Sequence, residues 1–141
     1  MAQRQITIVA AVITNEKGEV LLAKRNQPQT PEIHGKWEFV GGGVDFGEDP
    51  VASLKREVLE EVGVEVEVLR LLPKVISDIQ KYDSGDQMQV LVLSYECKII
   101  SGTPTSTDRE IGEVKFFPLE KIKNLDAFQN VYETIELLTN H

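Results

Sequence analysis

Short runs of apolar residues separated by polar ones occupy the first third of the chain and predict strands rather than helices. Residues 6–14 are rich in β-branched side chains, residues 15–18 are turn-forming types, and residues 20–24 form a second apolar run. This order predicts a β-hairpin. Residues 26–35 contain two prolines and indicate an exposed loop. A short strand over residues 37–40 is expected to end at the glycines that follow it.

One helix has clear ends in the sequence. Asp49 suits the N-cap, Pro50 suits the first helical position, and Gly63 suits the left-handed residue that follows a helix. Between these ends, four apolar residues recur at spacings of three and four, namely Val51, Leu54, Val58 and Val62. The pattern predicts an amphipathic helix that packs this face into a core.

Strand patterns return in the second half of the chain. Valine and glutamate alternate at the start of residues 64–72, as expected of a half-buried strand, and residues 87–100 and 114–117 are further β-rich runs. Two loops, over residues 77–86 and 101–109, are long enough to line a cleft.

A final helix is predicted near the end of the sequence, where Asp126 and Gln129 match a capping box. Its apolar stripe consists of Phe128, Val131, Tyr132, Ile135 and Leu138. Strands grouped around two well-separated helices predict an α/β (α+β) fold with a mixed sheet between helices. The length of 141 residues predicts one domain over residues 1–141.

Composition narrows the function classes. The chain has 15 Lys and Arg against 23 Asp and Glu, a net charge of −8, which argues against binding a nucleic-acid polymer or an anionic membrane. The lone Cys97 excludes a disulfide framework and fits a reducing compartment. The longest apolar run, residues 8–13, is too short to span a membrane. A cytoplasmic protein is therefore expected.

Three carboxylates carry the most informative chemistry. On a helix, Glu57, Glu60 and Glu61 stand at positions i, i+3 and i+4 and share one patch of surface, away from the predicted apolar face. Like charges this close need a cation, and an all-oxygen set suits Mg²⁺, or Mn²⁺ in its place. Glycine carbonyls from residues 41–43 can approach the same ion. Because Mg²⁺ in such sites also binds substrate phosphates, a phosphate-containing substrate is predicted.

These residues belong to a longer pattern that resembles a known family. The pattern, Gly42-x5-Glu48-x7-Arg56-Glu57-Val58-x-Glu60-Glu61-x-Gly63-Val64, looks like a complete Nudix box, and the strand order around it is also similar to that family. The resemblance implies the Nudix α/β/α sandwich. It also implies Mg²⁺-dependent hydrolysis of a nucleoside diphosphate linked to a variable group X.

The resemblance also implies roles within the box. Glu60 and Glu61 would be metal ligands, with the Gly41 carbonyl as a further ligand. Glu57 would be a metal ligand or the general base. Arg56 and Glu48 would form an ion pair that orients Glu57 and braces the loop.

Some family members place the base on a later loop. Here Glu110 is the best match for such a base or metal ligand, and Glu113 is second. Lys24 and Arg25, at the end of the second predicted strand, are candidate phosphate-binding residues. The chain departs from the common family pattern at Val40, where many members have proline, but this removes no catalytic group.

Substrate choice lies outside the box. Trp37-Glu38-Phe39 resembles the MutT-like branch, which hydrolyses damaged purine nucleoside triphosphates, and in that branch an asparagine beside the final helix can contact a purine edge. Asn130 falls in roughly that place. Phe39 or Trp37 could stack on a base, although core packing is the more common role of such strand aromatics. His34 could reach phosphate or base, although a loop histidine without a role is more common.

Three other interpretations stay open. The runner-up is an ADP-ribose or nucleotide-sugar pyrophosphatase, which ranks lower because members of that group often carry an extra N-terminal domain. A non-catalytic module that senses nucleotides is disfavoured because every box carboxylate is present. Removal of RNA caps is disfavoured by the missing basic surface. A homodimer is compatible with the β-rich edges, and a small nucleotide is the expected partner.

Overall fold

The computed structural model describes residues 1–139, in which four strands precede the first long helix, four strands follow it, and two helices come last. The strands are β1 (Gln3–Ile13), β2 (Val20–Arg25), β3 (Trp37–Glu38), β4 (Val40–Gly43), β5 (Glu65–Leu71), β6 (Ile76–Lys81), β7 (Gln87–Ser101) and β8 (Ile111–Phe117). The helices are α1 (Pro50–Val62), α2 (Leu119–Ile122) and α3 (Gln129–Thr139). No helix within these residues is long and apolar enough to cross a membrane.

The strands form a larger and a smaller sheet. The larger has the order β4-β1-β7-β5, and β6 also pairs with β7, beside β5 along the same edge. It is mixed, because β1 and β7 run parallel while the other pairs are antiparallel. The smaller sheet, β3-β2-β8, is antiparallel.

Helices cover both faces of the larger sheet, so β1 is buried on each side. Val9, Ala11 and Ile13 pack into a core cluster with α1, whereas Ala10 and Val12 pack into a second cluster with α3. Alternate side chains of a strand point to opposite faces, so a strand buried on both faces reads as a continuous apolar run. This arrangement confirms the predicted α/β/α sandwich with a mixed sheet.

The predicted ends of α1 are confirmed. The Asp49 carboxylate accepts a hydrogen bond from the backbone N–H of Ala52 at 3.0 Å, and Gly63 has a φ of 74°, in the left-handed region. Burial of Leu54, Val58 and Val62 holds the helix against the sheet. The face that carries the glutamates is consequently turned away from this core.

The predicted hairpin is wrong, although its turn is present. β1 and β2 belong to different sheets and meet at a single bridge between Thr14 and Val20 in the described part of the chain. The reason is that both edges of β1 are occupied, by β4 on one side and by β7 on the other. β2 therefore pairs with β3 and β8 instead.

The predicted strand over residues 37–40 also differs. It is split at Phe39 into β3 and β4, and β4 continues through the glycines, where Gly41, Gly42 and Gly43 pair with β1. A Cβ at Gly41 would lie 2.0 Å from the Val9 carbonyl oxygen. Glycine is therefore required for this close pairing of strands, rather than for ending one.

Residues 77–86 were expected to form a loop, but β6 occupies the first part of this segment. Five of its six residues are exposed, so the sequence has no buried alternation to indicate a strand. It pairs with the first half of β7 as a hairpin across the turn at residues 82–86, with Ile79 opposite Gln89. The short α2 was not predicted, and β8 starts earlier than expected, at Ile111.

The capping box at Asp126 is wrong, because α3 begins at Gln129. The backbone of residues 126–128 pairs with Trp37, whose N–H donates to Asp126 O and whose carbonyl accepts from Phe128 N. A segment bound to a strand in this way cannot form the first helical turn. The Asp126 carboxylate instead pairs with Lys36 at 3.1 Å.

Candidate active site

The predicted carboxylates lie where the second half of α1 faces β4. The Glu57 carboxylate packs directly against Gly42, since a Cβ at that position would lie 2.6 Å from Glu57 Cδ. Glu61 accepts a hydrogen bond from the backbone N–H of Gly41 at 2.9 Å. The glycines thus serve two purposes, close pairing with β1 and room for the carboxylates of α1.

Arg56 connects the carboxylates at the outer side of the site. Its guanidinium donates two hydrogen bonds to Glu48, each at 3.1 Å, and approaches Glu57 at 3.3 Å and Glu60 at 3.4 Å. The hydrogen bonds from Arg56 lower the pKa of Glu48. Glu48 also accepts from the backbone N–H of Asp45, so the ion pair braces the loop between β4 and α1.

Burial raises the pKa values of the carboxylates nearer the core, Glu38, Glu57 and Glu61. Desolvation raises the pKa of Glu61 to about 8, against a weaker lowering by the Gly41 N–H, and the nearby charges of Glu38 and Glu57 raise it further. Desolvation also raises the pKa values of Glu57 and Glu38. The inner site is therefore a set of close carboxyl groups whose ionised forms need a positive charge nearby.

Arg25, at the end of β2, and Glu110, in the loop before β8, lie close to Glu38. The Arg25 guanidinium binds Glu38 through two hydrogen bonds of 2.7 Å each and contacts Glu110 at 3.2 Å. Glu38 was not among the predicted site residues. Its only signal in the sequence is a charged side chain within an otherwise apolar strand, which cannot indicate its partner.

The loop that carries Glu110 is attached to the end of α1. The backbone N–H groups of Thr105 and Thr107 donate to the carbonyls of Val62 and Glu61, and the Thr107 hydroxyl donates to the Glu60 carbonyl. These contacts satisfy carbonyl groups that the last turn of a helix leaves unpaired. The loop over residues 101–109 therefore lies against the last turn of α1, which carries Glu60 and Glu61.

Four other residues singled out from the sequence have local surroundings of their own. Lys24 Nζ lies 5.8 Å from the centroid of the Trp37 ring, and Phe39 is 5% exposed in the α3-side core. Asn130 is the second residue of α3. His34 Nδ1 accepts from the Gln27 backbone N–H.

Trp37 is packed edge-on against Phe117 and is buried, which is the core role expected of most such aromatics. Glu113 is exposed and lies opposite Lys24 in the pairing of β2 with β8. Glu113 therefore lies within β8, whereas Glu110 lies in the loop that precedes β8.

The residues at the centre fit a hard divalent cation by their chemistry. Their carboxylate and carbonyl groups all offer oxygen, and the absence of a side chain at Gly42 lets the Glu57 carboxylate lie beside β4. Within residues 1–139, however, the side chains are not gathered into a group of three or more ligands arranged to hold an ion. Glu60 faces Arg56, and Glu61 faces the Gly41 N–H.

A family model and a solved structure that match this chain point to the same family. A family model described as the NUDIX domain matches residues 4–138. The MutT NUDIX hydrolase from Burkholderia pseudomallei superimposes with a TM-score of 0.75 at 25% sequence identity, covering 94% of this chain and 97% of that one.

Three curated relatives carry enzyme names. The nucleoside triphosphatase NudI of Enterobacter sp. (strain 638) is 28% identical over 128 residues, covering 87% of this chain and 89% of the relative. A putative 8-oxo-dGTP diphosphatase 2 of Mycobacterium tuberculosis (strain CDC 1551 / Oshkosh) is 34% identical over 104 residues, 74% of this chain and 67% of the relative. An RNA pyrophosphohydrolase of Ruthia magnifica subsp. Calyptogena magnifica is 42% identical over 78 residues, but this match spans only 55% of this chain and 40% of the relative.

Proposed function

The chain belongs to the NUDIX family, and we propose that it is a Mg²⁺-dependent pyrophosphohydrolase that converts a nucleoside triphosphate to the monophosphate and pyrophosphate. Membership makes it a hydrolase of phosphoanhydride bonds, a class that acts on small nucleotides and generally needs divalent metal ions. The observation that carries the proposal is the packing of the Glu57 and Glu61 carboxylates against Gly41 and Gly42, beside the end of α1.

The metal-binding set proposed for this reaction is Gly41, Glu57, Glu60, Glu61 and Glu110. A divalent cation bound there would supply positive charge to the phosphate oxygens as negative charge develops on them. The same charge would offset the repulsion and desolvation that raise the pKa of Glu61. We expect Mn²⁺ to support the reaction as well, because it accepts the same oxygen ligands.

The chain's own residues supply the proton acceptor. A water molecule that attacks phosphorus must lose a proton while the phosphoanhydride P–O bond breaks, and a carboxylate within hydrogen-bond reach can accept that proton. Glu57 and Glu110 are the two candidates. Burial raises the pKa of Glu57, which makes its carboxylate a better acceptor once ionised. Arg56 and Glu48 hold Glu57 from the outer side.

A purine triphosphate, in canonical or oxidised form, is the proposed substrate. The support is the curated relatives, of which one is named a nucleoside triphosphatase and another an 8-oxo-dGTP diphosphatase. β3 has two residues: Glu38 binds Arg25 beside the carboxylates, and Trp37 pairs with the segment before α3. The proposed base contact at Asn130 therefore lies on the α3 side of this strand, and the proposed phosphate site lies on the α1 side.

A substrate panel tests this proposal. Phosphate and pyrophosphate release would be measured with Mg²⁺ on canonical and oxidised dNTPs, ADP-ribose, nucleotide sugars and dinucleoside polyphosphates, with Glu60→Gln as the blank. Preference for a triphosphate, with pyrophosphate as product, supports the proposal. Preference for ADP-ribose or a sugar nucleotide would overturn the substrate but keep the family chemistry. Nucleotide binding without turnover would favour a sensor.

A further inference from the structure

Arg25 lies between two carboxylates and uses most of its hydrogen-bonding edge on them. Its Nε and Nη2 donate to the two oxygens of Glu38 at 2.7 Å each, and its Nη1 donates to Glu110 at 3.2 Å. The side chains of Arg25 and Glu38 are 25% and 22% exposed, whereas that of Glu110 is 61% exposed. The partly buried Arg25–Glu38 pair is thus the more constrained part of this group, and the exposed Glu110 side chain is the less constrained part.

The two-point contact with Glu38 sets the plane of the guanidinium. A bidentate arginine–carboxylate pair is planar and leaves the remaining N–H groups in fixed directions. Here one of the remaining N–H groups, on Nη1, donates to Glu110. Three of the five guanidinium N–H groups thus donate to carboxylates, and a phosphate would have to compete with Glu38 or Glu110 for them.

The backbone of Glu110 is held separately. Its carbonyl accepts from the Asn26 N–H at 2.7 Å, and its N–H donates to the Asp108 carboxylate at 2.9 Å. The Asn26 side chain also donates to the carbonyl of Arg109. Since the main chain is already fixed on both sides, the contact with Arg25 acts on the choice of side-chain rotamer at Glu110.

We propose that Arg25 is a positioning residue that selects the reactive rotamer of Glu110, and that Glu38 serves to anchor Arg25. This replaces the sequence-based expectation that Arg25 binds substrate phosphate. It rests on the proposed function, in which Glu110 acts as base or metal ligand. The chain therefore uses a partly buried ion pair on the smaller sheet to orient a loop glutamate towards the carboxylates of α1.

Rotamer statistics give the expected size of the loss of kcat. The first two side-chain torsions of glutamate have about three staggered wells each, so an unheld side chain spends roughly one ninth of its time in any one combination. Removing Arg25 should therefore lower kcat about tenfold and leave KM within about threefold, because no substrate contact is lost. Removing the Glu110 carboxylate should lower kcat by about 10²- to 10⁴-fold if it is the base.

A double-mutant cycle on the full chain, with dGTP and Mg²⁺, separates positioning from phosphate binding. Arg25→Ala would be made in the wild-type and in the Glu110→Gln background. We expect the loss of kcat in the first, and a change of less than about threefold in the second, because the rotamer of a glutamine without the acidic group no longer matters. A rise in KM of tenfold or more that persists in the Glu110→Gln background, losses that simply multiply, or an unchanged kcat would overturn the proposal.

Two further variants control for folding. Arg25→Ala leaves Glu38 buried without its cation, so Arg25→Ala/Glu38→Gln provides a second measurement in which no unpaired charge is buried. Arg70→Ala removes an arginine that binds Glu96 across β5 and β7 at 3.1 Å, and it should leave kcat and KM unchanged. Failure of the wild type to hydrolyse any nucleotide would refute the proposed function itself and would be seen before any variant is compared.

Discussion

Glu61→Gln probes the carboxylate of the site whose pKa is raised by burial to about 8. The ordinary value of the group is 4.5, so between pH 4.5 and pH 8 the unfolded chain ionises while the folded protein keeps its proton. The folded state binds more protons over this window, and its stability must fall as the pH rises. At 1.36 kcal/mol per pKa unit, the full shift corresponds to an upper bound of about 5 kcal/mol.

Glutamine removes this dependence while preserving the local contact. Its amide oxygen can still accept the hydrogen bond from Gly41 N–H, which Glu61 accepts at 2.9 Å. With EDTA present, the difference in unfolding free energy between Glu61→Gln and wild type should shift by roughly 3 kcal/mol towards the variant from pH 5 to pH 7. Addition of Mg²⁺ at pH 8 should stabilise the wild type, because the bound cation favours the ionised cluster, and should stabilise the variant less.

Urea unfolding measures this directly. Trp37 is the single tryptophan and lies buried, so its fluorescence reports unfolding, and circular dichroism gives a second probe. Glu60→Gln is the matched control, since it removes a charge from the same turn of α1 but from a side chain that is 57% exposed. It should retain the wild-type pH slope. A pH-independent difference between Glu61→Gln and wild type would refute the reasoning.

Three other substitutions test single contacts of the site and the fold. Gly42→Ala would place a Cβ 2.6 Å from the Glu57 carboxyl carbon, so kcat should fall at least tenfold while the thermal midpoint changes little. Gly43→Ala is the matched control, because a Cβ at that position has no atom within 4 Å. Equal kcat values in the two variants would contradict the contact. Asp49→Ala should cost about 1 kcal/mol in urea unfolding through loss of the N-cap of α1, and an unchanged midpoint would exclude that role. Leu54→Ala, at a fully buried position of α1, should cost about 2–5 kcal/mol, and a loss below 1 kcal/mol would mean that the core is looser than described.

The sequence predicted best those features that depend on neighbouring residues. The ends of α1 follow from Asp49, Pro50 and Gly63, which act within one turn, and the position of the box glutamates away from the apolar face of α1 follows from helical periodicity. The pairing of Arg56 with Glu48 was implied by the family resemblance and is present at 3.1 Å. Local rules therefore placed the part of the site that α1 carries.

Features that depend on the choice of a distant partner were not predicted. Pairing of β1 with β4 and β7 prevented the expected hairpin, and pairing of Trp37 with the segment before α3 displaced the expected cap at Asp126. The contact of Arg25 with Glu38 and Glu110 joins two strands and a loop, and Arg25 and Glu110 are 85 positions apart in the sequence. No spacing within one element indicates such a contact, so Glu38 could not be identified from sequence alone.

The central claim is that the glutamates of α1 support metal-dependent hydrolysis. The most direct measurement is the rate of dGMP and pyrophosphate formation from dGTP over a Mg²⁺ titration, with EDTA as the zero point, for wild type and Glu60→Gln. We predict turnover that requires Mg²⁺ and falls by about 10²-fold or more in Glu60→Gln, with the circular dichroism spectrum unchanged. Turnover that survives EDTA, or a Glu60→Gln enzyme with wild-type rate and Mg²⁺ dependence, would contradict the claim.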